Sequence, residues 1–192
     1  MYKDMCEILE EKQVGVAKLE KFNATGIVAY LQGISDGQYI RLFVDGDLMM
    51  SNTYMEKYTS AEFVRNAKGD VLICGLGIGL VIMPLLESAE VTSITVVEKY
   101  QDVIDCVLPQ IQKYDTQGKL LVVCEDAFEF KTSHRYDTIF IDIWPFINSD
   151  IYKEQMKPLK CKYRKFLSEK GRKNKNIYVW AEYQAKHNLH LY

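Results

Sequence analysis

The sequence predicts an α/β protein built on a doubly wound, mainly parallel sheet of strand order 3-2-1-4-5, preceded by a small antiparallel β extension. Three observations carry this. From Val71 onward, short apolar runs alternate with stretches of helical apolar spacing, the rhythm of a parallel sheet with crossover helices. The first of those runs, Val71-Leu72-Ile73-Cys74, drops straight into Gly75-Leu76-Gly77-Ile78-Gly79. A fully buried strand takes such an exit where the backbone must approach a ligand closely. Before Val71 the apolar period is two, centred on the hairpin signal Asp45-Gly46.

Taken in order, Lys3 to Lys12 has helical spacing, with Met5, Ile8 and Leu9 on one side and acids on the other. Val14, Val16 and Lys18 to Glu20 then alternate. Gly26 to Gln32 is β-branched and aromatic, which predicts a strand, and Tyr39 to Val44 and Leu48 to Ser51 predict the two arms of the hairpin. Thr53 to Ala67 is expected to be a helix. Residues 1–60 therefore read as the β-rich extension and 61–192 as the ligand-binding domain. After the glycines, a helix is expected to open at Gly79 and run from Leu80 to Leu86, with Pro84 early in it. Ser93 to Val97, Lys119 to Val123, Asp137 to Ile143 and Ile177 to Ala181 predict the remaining strands. Gln101 to Tyr114 and Asp150 to Ser168 predict helices, with Ala127 to Phe130 a short helical turn. Pro158 is expected to break the second helix in two and Gly171 to end it. The edge of the fifth strand then needs a cover, either Ala185 to Tyr192 or a second subunit, as in a homodimer.

With 192 residues and a formal charge of −2, the chain can bury a full core, and its charge argues against a protein dedicated to nucleic acid. Lys153 to Lys175 holds ten Lys or Arg against Glu154 and Glu169, a local +8, which reads first as a solvated helix face. The five cysteines form no C-x-x-C pair, and Met1 to Glu11 is charged, so the expected setting is the reducing cytoplasm. Val71 to Leu86 is too short and too rich in glycine for a membrane span. His134, His187 and His190 have no metal-ligand spacing, so no metal is assigned.

Four sets of residues could carry chemistry. Gly75, Gly77 and Gly79 form G-x-G-x-G, and Leu80 stands where a dinucleotide site would place its third glycine. Glu98, at the carboxyl end of the second parallel strand, can accept both hydroxyls of a ribose. Asp126-Ala127, after the third strand, can take the amine of an adenine and present a backbone N–H to the ring. Asp142, after the fourth strand, lies at the switch-point crevice where it can orient an attacking amine or take its proton, and Trp144 can wall the site.

These residues, together with Val96-Val97-Glu98-Lys99, Tyr136 to Asp142 and Leu42-Phe43-Val44-Asp45-Gly46, resemble the S-adenosylmethionine-dependent methyltransferase fold (Rossmann-like) in its spermidine-synthase-like branch. The resemblance implies S-adenosylmethionine lying over Gly75 to Gly79, with its ribose on Glu98, adenine on Asp126 and Ala127, and transfer near Asp142. It also implies substrate contacts from Glu56, in the place of that branch's gate segment. Three polar positions of polyamine synthases are absent: Ile78 stands where they carry an acid, Met49 where they use glutamine, and Trp144-Pro145 follows a single Asp142. Methyl transfer to a small-molecule acceptor is therefore the expected reaction. The alternatives are an aminopropyltransferase acting on polyamines and a degenerate cofactor-binding module.

Overall fold

The computed structural model describes residues 2–31 and 33–191; Met1, Gln32 and Tyr192, each an end of a segment discussed above, lie outside the described residues. The chain opens with one helical turn, α1 (Met5–Ile8), shorter than the expected Lys3 to Lys12 because β1 (Lys12–Val14) begins directly behind it. β2 (Ala17–Ala24), β3 (Gly37–Val44) and β4 (Asp47–Ser51) complete an antiparallel sheet of order β1-β2-β3-β4. The β3–β4 turn is the expected two-residue hairpin, with Asp45 at φ 53° and Gly46 at φ 86°.

Gly26–Leu31 corrects the strand expected there, because it forms helix α2. β2 and β3 pair with each other from Ala17↔Val44 to Ala24↔Gly37, and each has its other side filled as well, by β1 and β4. Among the described residues no strand pairs with the segment between them, and Gly26–Leu31 satisfies its backbone locally. Its first N–H donates to Asp36 Oδ1 at 2.9 Å.

Helix α3 (Tyr54–Asn66) leads into the parallel sheet: β5 (Gly69–Cys74), α4 (Ile82–Leu86), β6 (Val91–Glu98), α5 (Gln101–Ile111), β7 (Leu120–Cys124) and β8 (Thr138–Ile141). A continuous helical stretch follows, α6 (Ser149–Ile151), a π turn over Tyr152–Met156 and α7 (Lys157–Tyr163). Then come α8 (Glu169–Asn174), β9 (Ile177–Val179) and α9 (Glu182–His187). The order β7-β6-β5-β8-β9, all parallel, is the predicted 3-2-1-4-5 arrangement. β5 divides its side chains by the strand period. Val71 and Ile73 join one core with the small sheet's Leu19, Ile40 and Leu42, while Leu72 and Cys74 join a second core with Leu159 and Tyr163.

Both prolines in long helices are accommodated. Pro109 leaves the Asp105 carbonyl without its helical donor, and Lys12 Nζ fills the place at 2.7 Å, tying β1 to α5. Around Pro158 the helix widens into the π turn and continues, where a break was expected. Ala127–Phe130 makes only a turn closed on the Asp126 carbonyl. Among the described residues no helix is long and apolar enough to cross a membrane. Ala185 of α9 is fully buried, and α9 packs on the helical stretch that begins at Ser149.

Gly171 does not end a helix. It lies inside α8, whose start is capped by Ser168, and a Cβ on it would stand 2.8 Å from the Asp137 carbonyl oxygen and 2.9 Å from Leu167. Helix propensity alone predicts that Gly171→Ala stabilises by about 1 kcal/mol. The packing predicts the opposite sign, a loss of about 1–3 kcal/mol, readable as a lower urea midpoint.

Candidate active site

A cavity of about 160 Å³ opens at the carboxyl end of the parallel sheet. All five strands contribute to it just beyond their ends: Gly75 after β5, Glu98 closing β6, Asp126 after β7, Asp142 after β8 and Trp180 after β9. A doubly wound sheet places its ligands in this crevice. The small sheet closes over it with Leu42, Val44, Met49 and Met50, and α3 adds Glu56.

The glycine turn is shaped by its neighbours. Gly75 has φ +97° and a Cβ there would collide with the Asp142 carbonyl oxygen; Gly77 has φ +51° and a Cβ there would collide with Met50 Sδ. Only residues without a side chain let β5 turn beside β8 and under β4. Glu98 holds the turn in place. One of its carboxylate oxygens accepts the Leu76 N–H at 2.8 Å and the other the Tyr100 N–H at 2.9 Å. Burial raises the pKa of this carboxyl, and the N–H groups of Leu76, Tyr100 and Lys99 work against the rise.

Asp126 accepts the Phe128 N–H at 2.8 Å and pairs with Lys99 Nζ at 3.1 Å. Its burial acts upward, but the Phe128 bond and the Lys99 charge outweigh it and hold its pKa below the ordinary range. Ala127 is buried, and its carbonyl accepts the Tyr163 hydroxyl at 2.9 Å. Trp144 is also buried and donates to Gln155 at 2.8 Å, which fixes the indole as a wall.

Glu56 and Asp142 are the two buried acids that face the cavity from α3 and from the end of β8. Glu56 is 6 % exposed in the first turn of α3. Its pKa is raised first by burial and then by the nearby Asp142 charge, against the Ser51 N–H and the Trp180 indole, which lower it. Burial raises Asp142 as well. Burial thus opposes ionisation of both acids, and the charge of Asp142 adds to the rise at Glu56.

Thus Gly75, Gly77, Glu98, Asp126, Ala127, Glu56, Asp142 and Trp144 line one cavity. Gly79 does not line it, which departs from the cofactor contact expected of it; a Cβ there would press on Ile111 at 3.0 Å, so this glycine admits the end of α5. The helix also opens later than expected, at Ile82, because residues from Gly77 to Val81 form turns. Those turns sink Ile78 fully into the core and bring Leu80 and Val81 to the cavity in its stead. Met50 and Trp180 were missed from sequence, and Met49 was read only as standing where polyamine synthases use glutamine. Met49 and Met50 both line the cavity because a β-bulge opposite Leu42 and Phe43 breaks the alternation that would separate them. Trp180 could have been found from its place after a buried strand, the same signal that marked Asp142.

No protein-family model matches the chain, and no curated protein matches it in sequence. Solved structures do. A spermidine synthase in complex with the transition-state analogue AdoDATO is 17% identical, with 75% of this chain and 50% of that one covered at a TM-score of 0.47. The CcbJ methyltransferase from Streptomyces caelestis is 21% identical over 60% of this chain and 46% of that one, at 0.48. TYW2 of M. jannaschii, in complex with AdoMet, is 14% identical over 68% and 55%, at 0.48. The chain spans about half the length of these proteins.

The acid pair gives stability a definite pH slope. Folded Glu56 and Asp142 hold protons that unfolded carboxyls release near pH 4, so the folded state binds more protons from there up to neutrality. Their contribution is fully present at the acid end of that window and is lost as pH rises through the folded values. Glu56→Gln removes one buried charge and keeps an acceptor, so it should be more stable than the parent at pH 8 by about 1–3 kcal/mol and indistinguishable near pH 5. Thermal melts at the two pH values check this; an unchanged difference between them would show that Glu56 is not raised in the folded state.

Proposed function

We propose that this protein is an S-adenosylmethionine-dependent methyltransferase acting on a small-molecule acceptor. The observation that carries the reading is the convergence of Gly75, Gly77, Glu98, Asp126, Ala127 and Asp142, drawn from four strand ends, on one cavity. The donor set suits the cofactor. A carboxylate offers about four acceptor sites, so Glu98 keeps capacity for a ribose diol after holding the Leu76 and Tyr100 N–H groups. The apolar Val97, Ala127 and Phe128 would hold an adenine, with Asp126 taking its exocyclic amine.

When bound, the cofactor supplies a methyl carbon on a sulfonium, and the acceptor's lone pair takes the methyl while the carbon–sulfur pair leaves with sulfur. The protein's own part is then alignment and proton transfer. Glu56 and Asp142, raised toward neutrality and lining the cavity with the apolar Ile143 and Trp144, can take the proton that an ammonium acceptor must lose before its lone pair attacks. The same acid pair supports a second reading, aminopropyl transfer, because it could equally hold the ammonium of a decarboxylated donor.

Calorimetry with S-adenosylhomocysteine tests the first reading, and absence of binding would sink it. Glu98→Gln should weaken binding about tenfold or more, whereas Asp142→Asn should leave binding in place and reduce turnover. Spermidine formed from decarboxylated S-adenosylmethionine and putrescine would transfer the assignment to the second reading. Binding with no transfer to any amine would mark a module without catalysis.

A further inference from the structure

A second groove of about 300 Å³ adjoins the cofactor cavity and shares Met49, Met50, Glu56 and Trp180 with it. Away from that junction its walls are apolar: Met55 of α3, Phe146 and Ile147 beyond β8, and Leu189 and Leu191 of the C-terminal segment. Ser51 and His190 add polar edges. Among the described residues Glu56 is the only carboxylate that lines the groove, and it stands at the inner end, near Asp142. The carboxylate found among the described lining residues is therefore at one end of the groove.

Resting on the transferase reading above, we propose that this groove is the acceptor subsite and that the acceptor is a monoamine on an apolar body, an alkyl or aryl amine, rather than a diamine. The acid pair meets one ammonium, and Phe146, Ile147 and Leu189 cover the hydrocarbon that follows it. A diamine reaching the same acids would leave its second ammonium among those apolar walls with no carboxylate opposite, a mismatch that rejects it. Before transfer the ammonium gives a proton to the acid pair; its freed lone pair forms the carbon–nitrogen bond as the carbon–sulfur bond breaks toward sulfur, and the secondary ammonium formed carries the positive charge away.

Heteronuclear NMR titration of the full chain with hexylamine and with 1,4-diaminobutane, alone and with saturating S-adenosylhomocysteine, tests this. Hexylamine should shift the resonances of Met55, Ile147 and Leu189 and bind about tenfold more tightly than the diamine. Leu189→Asp, at an already half-exposed position, should narrow or reverse that preference by supplying a distal carboxylate. Equal or tighter binding of the diamine to the parent protein, or no shift at those residues with either amine, overturns the proposal. Because the titration is also run without the nucleoside, failure of S-adenosylhomocysteine to bind would count against the methyltransfer reading alone and leave the groove's preference measurable.

Discussion

The carboxylate of Glu98 is the interaction on which the site's shape depends. It is buried, and each of its oxygens takes a backbone N–H from a different loop: Leu76 from the turn after β5, and Tyr100 from the entry to α5. A glycine-rich turn has many conformations to lose, and a charge-assisted bond at its second residue selects one. The second bond sets where α5 begins, and α5 carries the small sheet. Asp102 of α5 accepts the Val16 N–H at 2.9 Å, and Lys12 reaches the carbonyl that Pro109 frees. One side chain thus fixes the floor of the cavity and, through α5, the position of its roof.

Strain and packing around the glycines follow from the same arrangement. β8 ends with its Asp142 carbonyl in the space a side chain at residue 75 would need, and β4 places Met50 in the space of one at 77. The turn is sealed on both sides by protein, so the room left for a ligand lies over Leu76, Leu80 and Val81 rather than over all three glycines. This is why Gly79, third in the motif, serves the packing of α5 instead.

The parallel half of the fold was legible because its strands are short, mainly apolar runs, most of them closing on a polar or glycine residue, a pattern that survives without knowledge of neighbours. The same rule pointed to Glu98, Asp126 and Asp142, and all three line the cavity. What could not be read depends on pairing. Gly26–Leu31 has strand composition and becomes a helix because the strands on either side of it already occupy each other. Met49 and Met50 share a surface only because of a bulge. Gly171 looked like a terminator, and its reason lies at Asp137, far away in sequence. Ile78 marked an absent acid by its place in the motif, yet its side chain is turned into the core, so an acid at that position would not line this cavity without a different turn.

That last point changes what decides the chemistry. If Ile78 does not face the donor, the loss of an acid there says little about which group is transferred, and the charges that do face the cavity must carry the distinction. Near the transfer end these are Glu56 and Asp142, with burial opposing ionisation of both. Acids raised in this way carry less than two negative charges between them at neutral pH. One charge balances one ammonium, whether it belongs to donor or acceptor. On the proposed transferase reading, an aminopropyl donor and a diamine would bring more positive charge than these acids match, and beyond Glu56 the described walls of the groove are mainly apolar, with Ser51 and His190 at the edges. On the proposal made above, a monoamine on an apolar body suits this distribution of acid and apolar wall better than a diamine does.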